Sequence, residues 1–278
     1  MFHKEFIERD FRTNRPAKFG LPVTEAVSLI KHEVMLPRSI VAGKRILDIG
    51  SFIGQTGDWC LNNDCASYTG VEIHPEFHEI ALELMTKHHP GESWQLIKQG
   101  VDDYFAEAVE CFDLIFCGGV IFAHVNHIWF LKEMTKRSDH IILESRHPKA
   151  MWKCHADKIP DELWQDLEYK IPYQEWHDGT MTNLGRIDHS VRFTAANSSI
   201  GAVQLFMELE GYSANLHIYE QLKSQLPNAY GMFREKERVG RYAVEFKRDS
   251  LVKKHLLGDA IVTDPLRWNT HVINWKDA

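Results

Sequence analysis

The residues of this 278-residue chain best suited to chemistry are an acid that ends one apolar segment and glycines that end another. The run Arg45-Ile-Leu-Asp-Ile-Gly-Ser-Phe-Ile-Gly-Gln-Thr-Gly57 reads as a buried strand, a glycine-bearing turn and a helix start. Tyr68-Thr-Gly-Val-Glu-Ile73 reads as a second strand ending in a single acid. That order builds a nucleotide site at the carboxyl ends of parallel strands. Gly50 and Gly54 let the backbone pass close to a ligand where a side chain would clash. Glu72 can accept hydrogen bonds from both hydroxyls of a ribose. An acid at the end of an apolar strand otherwise needs water or other donors.

These residues must be held by a scaffold, and the hydrophobic pattern supplies one. Val23, Ala26, Val27, Ile30 and Val34 form a near-helical stripe within Pro22 to Leu36, ended by Pro37. From Gly43 onward strand and helix alternate. Strands are expected at Arg45–Ile49, Tyr68–Ile73, Trp94–Lys98, Phe112–Cys117 and His140–Glu144. Helices are expected at Thr56–Leu61, Pro75–Lys87, Asp102–Val109 and Asn126–Lys136. Such alternation indicates a parallel sheet covered on both faces. The rhythm breaks over Ser145 to Ala196, a stretch rich in aromatic and polar residues. It returns with a helix at Asn197–Glu210, a strand at Asn215–Tyr219 and an alternating closing strand at Arg241–Phe246. The organisation expected is an N-terminal helical segment (1–42), a main domain (43–250) with an insert at about 146–196, and a C-terminal extension (251–278).

The spacing Asp48, Gly50, Phe52, Gly54, followed by Glu72, resembles the first two motifs of the class I S-adenosylmethionine-dependent methyltransferases. Phe52 stands where that family has its middle glycine. The resemblance continues through most of the chain. It implies an α/β fold: a doubly wound, mostly parallel seven-stranded sheet with an antiparallel last strand, plus a cap inserted after strand five. It implies S-adenosyl-L-methionine as cofactor, with Asp48, Gly50, Ser51, Phe52 and Gly54 around the methionine end. Glu72 would take the ribose, Ile73 the adenine face, and Val101 and Asp102 the adenine edge, with Asp103 a neighbour of similar placement. Cys117 and Gly118 would pass under the methionine. Asp48 alternatively orients the loop, and Asp102 and Asp103 alternatively cap a helix. The run Cys117-Gly-Gly-Val-Ile-Phe-Ala-His124 looks most like the branch containing the wobble-uridine carboxymethyltransferases of tRNA. The Asn-Pro-Pro-aromatic motif of base amino-group methyltransferases is absent. Gly50-Ser-Phe-Ile-Gly54 does not satisfy the G-x-G-x-x-G of nicotinamide enzymes.

Methyl transfer is an in-line displacement, so positioning dominates, and a base helps when the acceptor has a proton to lose. Among 16 histidines, His124 and His147 stand at the expected substrate edge and are the candidates for a general base. The alternative for each is a hydrogen-bonded structural role. His74 and His78 have i, i+4 spacing, but no third ligand is evident and no metal is expected. The insert's Trp152, Trp164, Tyr169, Tyr173, Trp176, His177 and Phe193 could wall an acceptor or form a small core of their own. Arg146, Arg186 and Arg192 are available for an anionic group, as is the basic N-terminal run Arg9, Arg12, Arg15 and Lys18.

Composition narrows the partners. A net charge of −7 argues against a broad nucleic-acid surface while leaving room for a local basic patch. No apolar run approaches the roughly 20 residues of a membrane span. The charged N-terminus lacks a signal peptide's apolar stretch. A cytoplasmic location is therefore expected. Five cysteines without a C-x-x-C pair suggest free thiols. The sequence sets no oligomeric state. The leading expectation is an enzyme methylating oxygen or nitrogen of a small-molecule acceptor. The alternatives are a tRNA-modifying methyl- or carboxymethyltransferase, and a non-catalytic protein that binds an adenosyl ligand. A carboxylated cofactor would need a cation near the transferred group.

Overall fold

The structure is a computed structural model that describes residues 4–10, 25–124, 126–147, 174–180, 192–227, 229–230 and 240–249, with the backbone alone for 174–180 and 192–197. The strands are β1 (Arg45–Ile49), β2 (Ser67–Glu72), β3 (Trp94–Lys98), β4 (Leu114–Gly118), β5 (His140–Arg146), β6 (Gln174–Thr180), β7 (Arg192–Ser198), β8 (Tyr212–Asn215) and β9 (Arg241–Arg248). The helices are α1 (Lys4–Glu8), α2 (Glu25–Met35), α3 (Arg38–Val41), α4 (Gln55–Asn62), α5 (Pro75–His88), α6 (Val101–Glu107), α7 (His127–Thr135), α8 (Ile200–Leu209) and α9 (His217–Gln225).

Local chemistry explains most boundaries. Pro75 occupies the first turn of α5, where its missing N–H costs nothing, and Lys87 and His88 lie in the last turn against the helix dipole. Asn126 caps α7 by accepting from Trp129 N at 3.0 Å, and Ser199 caps α8 by accepting from Ala202 N at 3.1 Å. One expectation needs correction. Asn215–Tyr219 is not a strand: the strand is Tyr212–Asn215, and His217 begins α9. The Asn215 side chain accepts from His217 N at 3.0 Å, so the polar residue turns the chain into a helix instead of extending it.

Seven strands form one sheet in the order β3-β2-β1-β4-β5-β9-β8. β1 pairs in parallel with β2 and β4, and β5 continues the parallel run beside β4. β9 runs antiparallel to both β5 and β8. The parallel strands β1, β4 and β5 are buried along nearly their whole length, which is why their centres read as short apolar runs. Ile46, Leu47, Leu114, Ile115, Ile141 and Ile142 form the centre of the core. The order reverses direction between β1 and β4, the switch point where open α/β sheets leave a crevice at their carboxyl edge.

The N-terminal helices close over that edge. Phe6 of α1 is fully buried, and Gln55 donates to the Phe6 carbonyl at 3.3 Å and to Asp10 at 3.2 Å. Between β5 and α8 in the sequence, β6 and β7 pair antiparallel, and β7 lies against β5 and the short 3-10 turn Ile121–Ala123. Ser198, the last residue of β7, is tied down by His127 Nδ1 at 2.7 Å and by the Tyr242 hydroxyl, which donates to its carbonyl. Trp152, Trp164, Tyr169, Tyr173, Arg186, Arg12, Arg15, Lys18, Cys154 and residues 251–278 lie outside the described residues, as do the side chains of Trp176, His177, Arg192 and Phe193. The four described cysteines are free thiols. No described helix is long and apolar enough to cross a membrane.

Candidate active site

The loop after β1 has a backbone that few residues can adopt. Gly50, Phe52 and Gly54 all have positive φ, at 78°, 51° and 88°. The alternate spacing seen in the sequence is thus a run of left-handed residues separated by ordinary ones. Phe52 adopts the conformation that glycine would take without strain. Its ring meets Phe77 edge-on at 4.6 Å, a contact that glycine could not make. Gly50 is further confined by the loop after β4. A Cβ at position 50 would stand 2.1 Å from Val120 Cγ2, inside any tolerable contact. The amides of Gly50 and Ser51 both donate to the Val71 carbonyl, which fixes the loop against β2.

Glu72 ends β2 beside this loop and is buried. Phe52 N donates to its Oε2 at 2.9 Å and His74 N to its Oε1 at 2.8 Å. Burial raises its pKa, while these two amide bonds act in the opposite direction. Each carboxylate oxygen keeps a second acceptor site. Ile73 follows with 70% of its surface exposed, and a Cβ on Gly100 would lie 3.3 Å from its Cδ1. An exposed large aliphatic side chain beside a buried acid is a surface on which a flat heterocycle can rest.

Asp48 lies deeper than the resemblance implied. It is buried beneath the loop and accepts from the Tyr68 hydroxyl at 2.6 Å. Burial pushes its pKa up to about 7, with the Tyr68 hydrogen bond acting in the opposite direction. It does not line the adjacent cavity. That cavity, of about 100 Å³, opens between the β1 loop, α2 and the ends of β4 and β5. Ser51, Phe52 and Thr56 line one side, Ser28 and Lys31 another, and Gly118 and Glu144 the floor. Ser51 Oγ is buried without a hydrogen-bond partner, an orphan that a polar ligand group would satisfy.

The remaining expected residues separate into two groups. Cys117 is buried at the end of β4 with its thiol pushed up to about 12 by burial, and Gly118 beside it faces the cavity. Val101 and Asp102 open α6, where the Asp102 side chain is 67% exposed. His124 Nε2 lies 2.9 Å from Asp102 Oδ1, and its ring stacks on Trp129 at 5.4 Å. His124 thus belongs to the Asp102 edge and does not line the cavity. His147 is fully buried between Tyr219 and Tyr242, with Nε2 3.2 Å from the Tyr219 hydroxyl. Burial pulls its pKa down to about 3, with the charge of Lys223 adding to the effect. A general base must reach the acceptor, and from this position His147 reaches only the core. That overturns its expected placement at the substrate edge. His74 stacks on Phe77, while His78 Nε2 lies 3.4 Å from the Leu96 carbonyl. Among the described residues no group of three His, Cys, Asp or Glu is arranged to hold a metal ion.

Sequence reasoning passed over Glu144, the buried acid on the cavity floor. Lys31 Nζ lies 3.1 Å from its Oε1, Arg241 Nη1 lies 3.3 Å from its Oε2, and the Tyr230 hydroxyl donates to it. Burial alone would raise its pKa, but Lys31, Arg241 and Tyr230 outweigh burial and hold it at about 2. The signal was available, since Glu144 falls at the end of an apolar strand as Glu72 does. Lys31 carried no such signal, because a lysine on an amphipathic helix ordinarily faces water.

No protein-family model and no curated protein matches the sequence. Solved structures do match the fold. The N-terminal domain of EvdMO1, determined in the presence of SAH and D-fucose, aligns with a TM-score of 0.54 and 15% identity over 81% of this chain and 84% of that one. An S-adenosylmethionine-dependent methyltransferase from Mesorhizobium loti gives 0.51 and 14% over 81% and 99%. Magnesium protoporphyrin IX methyltransferase from Synechocystis PCC 6803, with bound SAM, gives 0.50 and 12% over 90% and 99%. In strand order, in its single antiparallel strand and in these alignments, the chain has the fold of the class I S-adenosylmethionine-dependent methyltransferases.

Proposed function

We propose that the protein is a cytoplasmic enzyme that transfers a methyl group from S-adenosyl-L-methionine to an oxygen or nitrogen of a small-molecule acceptor. The observation that carries this reading is Glu72, held by two backbone amides against a loop of left-handed residues at the switch point of the sheet. S-adenosyl-L-methionine, when bound, supplies a methyl group on a sulfonium leaving group. The chain's part is placement. Glu72 has acceptor sites left for the two ribose hydroxyls, Ile73 offers the adenine an apolar face, and Asp102 stands at its edge. Ser51 and the backbone of Gly50 and Phe52 bound the space for the methionine end, and Gly118 lets the β4 loop approach it closely. Water exclusion and alignment then accomplish most of the rate enhancement.

A small acceptor fits better than a polynucleotide. Among the described residues, Arg241 and Lys31 beside the cavity share a buried carboxylate, so they grip one group and do not form a track along a polyanion. The test is calorimetric titration with S-adenosylhomocysteine on the wild type and on Glu72→Ala. The expected result is saturable binding to the wild type, weakened about 10- to 100-fold in the variant, the range for losing hydrogen bonds to a charged group. Absence of binding to the wild type, or equal binding to both, would overturn the reading.

A further inference from the structure

Beyond the cofactor loop, the described residues at the β5–β9 end of the sheet edge bring three cations, Lys31, Arg146 and Arg241, around one carboxylate, Glu144. Glu144 and Arg146 alternate on β5 and so share a face, and Arg241 on β9 stands directly opposite Arg146 in the antiparallel register. Glu144 answers both Lys31 and Arg241. The Arg146 side chain makes no hydrogen bond or ion pair among the described residues; its guanidinium lies over the Phe122 ring at 3.9 Å. Burial, and then the like charge of Arg241, pull its pKa down to about 9. Like charges directly opposite on paired strands are destabilising, and a desolvated charge without a partner adds to that cost. A bound anion would remove both penalties.

The position of the cluster indicates which anion. The sheet order sets β4 between β1 and β5, with β9 beyond. At roughly 4.8 Å per strand, β5 lies about 14 Å from β2, where Glu72 marks the adenosine end. Glu144, two residues before Arg146 on β5, lines the same cavity as Ser51 and Phe52 of the loop after β1, and Phe122, beneath Arg146, lies in the 3-10 turn after β4. An anion here is therefore separated from the adenosine by the space left for the methionine end.

We propose that Arg146, with Arg241 and Lys31 beside it, receives an anionic group of the methyl acceptor, a carboxylate or a phosphate. The guanidinium offers a planar fork of donors suited to either group. This inference rests on the methyltransferase reading and adds the substrate class.

The experiment uses the full chain in two stages. S-adenosylhomocysteine is titrated first, and the saturated protein is then titrated with benzoate and with inorganic phosphate as probes. Parallel titrations use Arg146→Gln and Arg146→Lys, with thermal melts establishing that each variant is folded. The expected result is saturable binding of at least one anion to the wild type, weakened at least about tenfold in Arg146→Gln and partly restored in Arg146→Lys, with S-adenosylhomocysteine affinity unchanged. The proposal fails if neither anion binds the saturated wild type, or if Arg146→Gln binds as well as wild type. It also fails if Arg146→Gln weakens S-adenosylhomocysteine but not 5′-methylthioadenosine, because Arg146 would then hold the carboxylate of the cofactor. If S-adenosylhomocysteine does not bind the wild type, the methyltransferase reading falls. Anion titration of the free protein and Arg146→Gln then decides the basic site alone, by the same loss or persistence of binding.

Discussion

The two halves of the sheet edge solve the problem of holding a polar ligand in opposite ways. Around β1 and β2 the groups facing the crevice are mostly backbone: a left-handed loop, amides docked on Val71, and an acid satisfied by Phe52 N and His74 N. Around β5 and β9 they are long side chains gathered from four separate places, the charged Lys31, Glu144 and Arg241 and the neutral Tyr230. Backbone groups cost no side-chain entropy to position and cannot be altered one residue at a time. Charged side chains are adjustable but must answer one another's charge when buried. The difference teaches where each half is fragile: the first in its geometry, the second in its electrostatics.

The largest effect should come from breaking the charge balance of the β5–β9 half. Glu144→Gln leaves Lys31, Arg146 and Arg241 together without their carboxylate, and stability should fall by about 3–5 kcal/mol in denaturant unfolding. The wild type should show the same dependence through pH. A folded-state pKa near 2 means that the Glu144 contribution is complete above the ordinary carboxylate range and is lost as pH falls from about 4.5 towards 2. A variant as stable as wild type would show that the cluster is not electrostatically coupled.

A second effect, of opposite sign in pH, should appear at Asp48 in the β1–β2 half. With its folded pKa raised to about 7, Asp48 binds its proton more tightly folded than unfolded, so its contribution declines as pH rises from about 4 to 7. Asn keeps an acceptor for the Tyr68 hydroxyl, so Asp48→Asn should gain on the wild type across that window in melts taken at several pH values. Parallel pH curves for the two proteins would contradict this account.

The smallest effect should be at Phe52. Glycine there relieves a left-handed backbone worth about 1 kcal/mol but forfeits an aromatic pair with Phe77 of similar size. Phe52→Gly should therefore unfold within about 1 kcal/mol of wild type by the same assay. A loss several times larger would mean that side-chain packing, and not backbone shape, holds this half together.

The same contrast explains what the sequence could reveal. The strands β1, β4 and β5 were legible because their buried centres leave short apolar runs, and the β1 loop because left-handed backbone selects glycine at fixed spacing. Glu72 was legible because its neighbours in the sequence are its neighbours in space. Tyr212–Asn215 was misplaced by a few residues because Asn215 reads as polar strand and as helix cap alike. Glu144 shared the strand-end signal of Glu72, but its link to Lys31 and Arg241 left no local trace, since the three meet only when α2, β5 and β9 converge. His147 looked accessible because it follows a strand end, yet Tyr219 and Tyr242, both far along the chain, enclose it.

The contact between Gly50 and Val120 joins the loops of the two halves. Because a side chain at 50 would fall 2.1 Å from the valine methyl, the positions cannot drift independently. In an alignment of relatives, any residue larger than glycine at 50 should be accompanied by a smaller one at 120. That paired substitution would record, in sequence alone, that two loops so distant along the chain share one space.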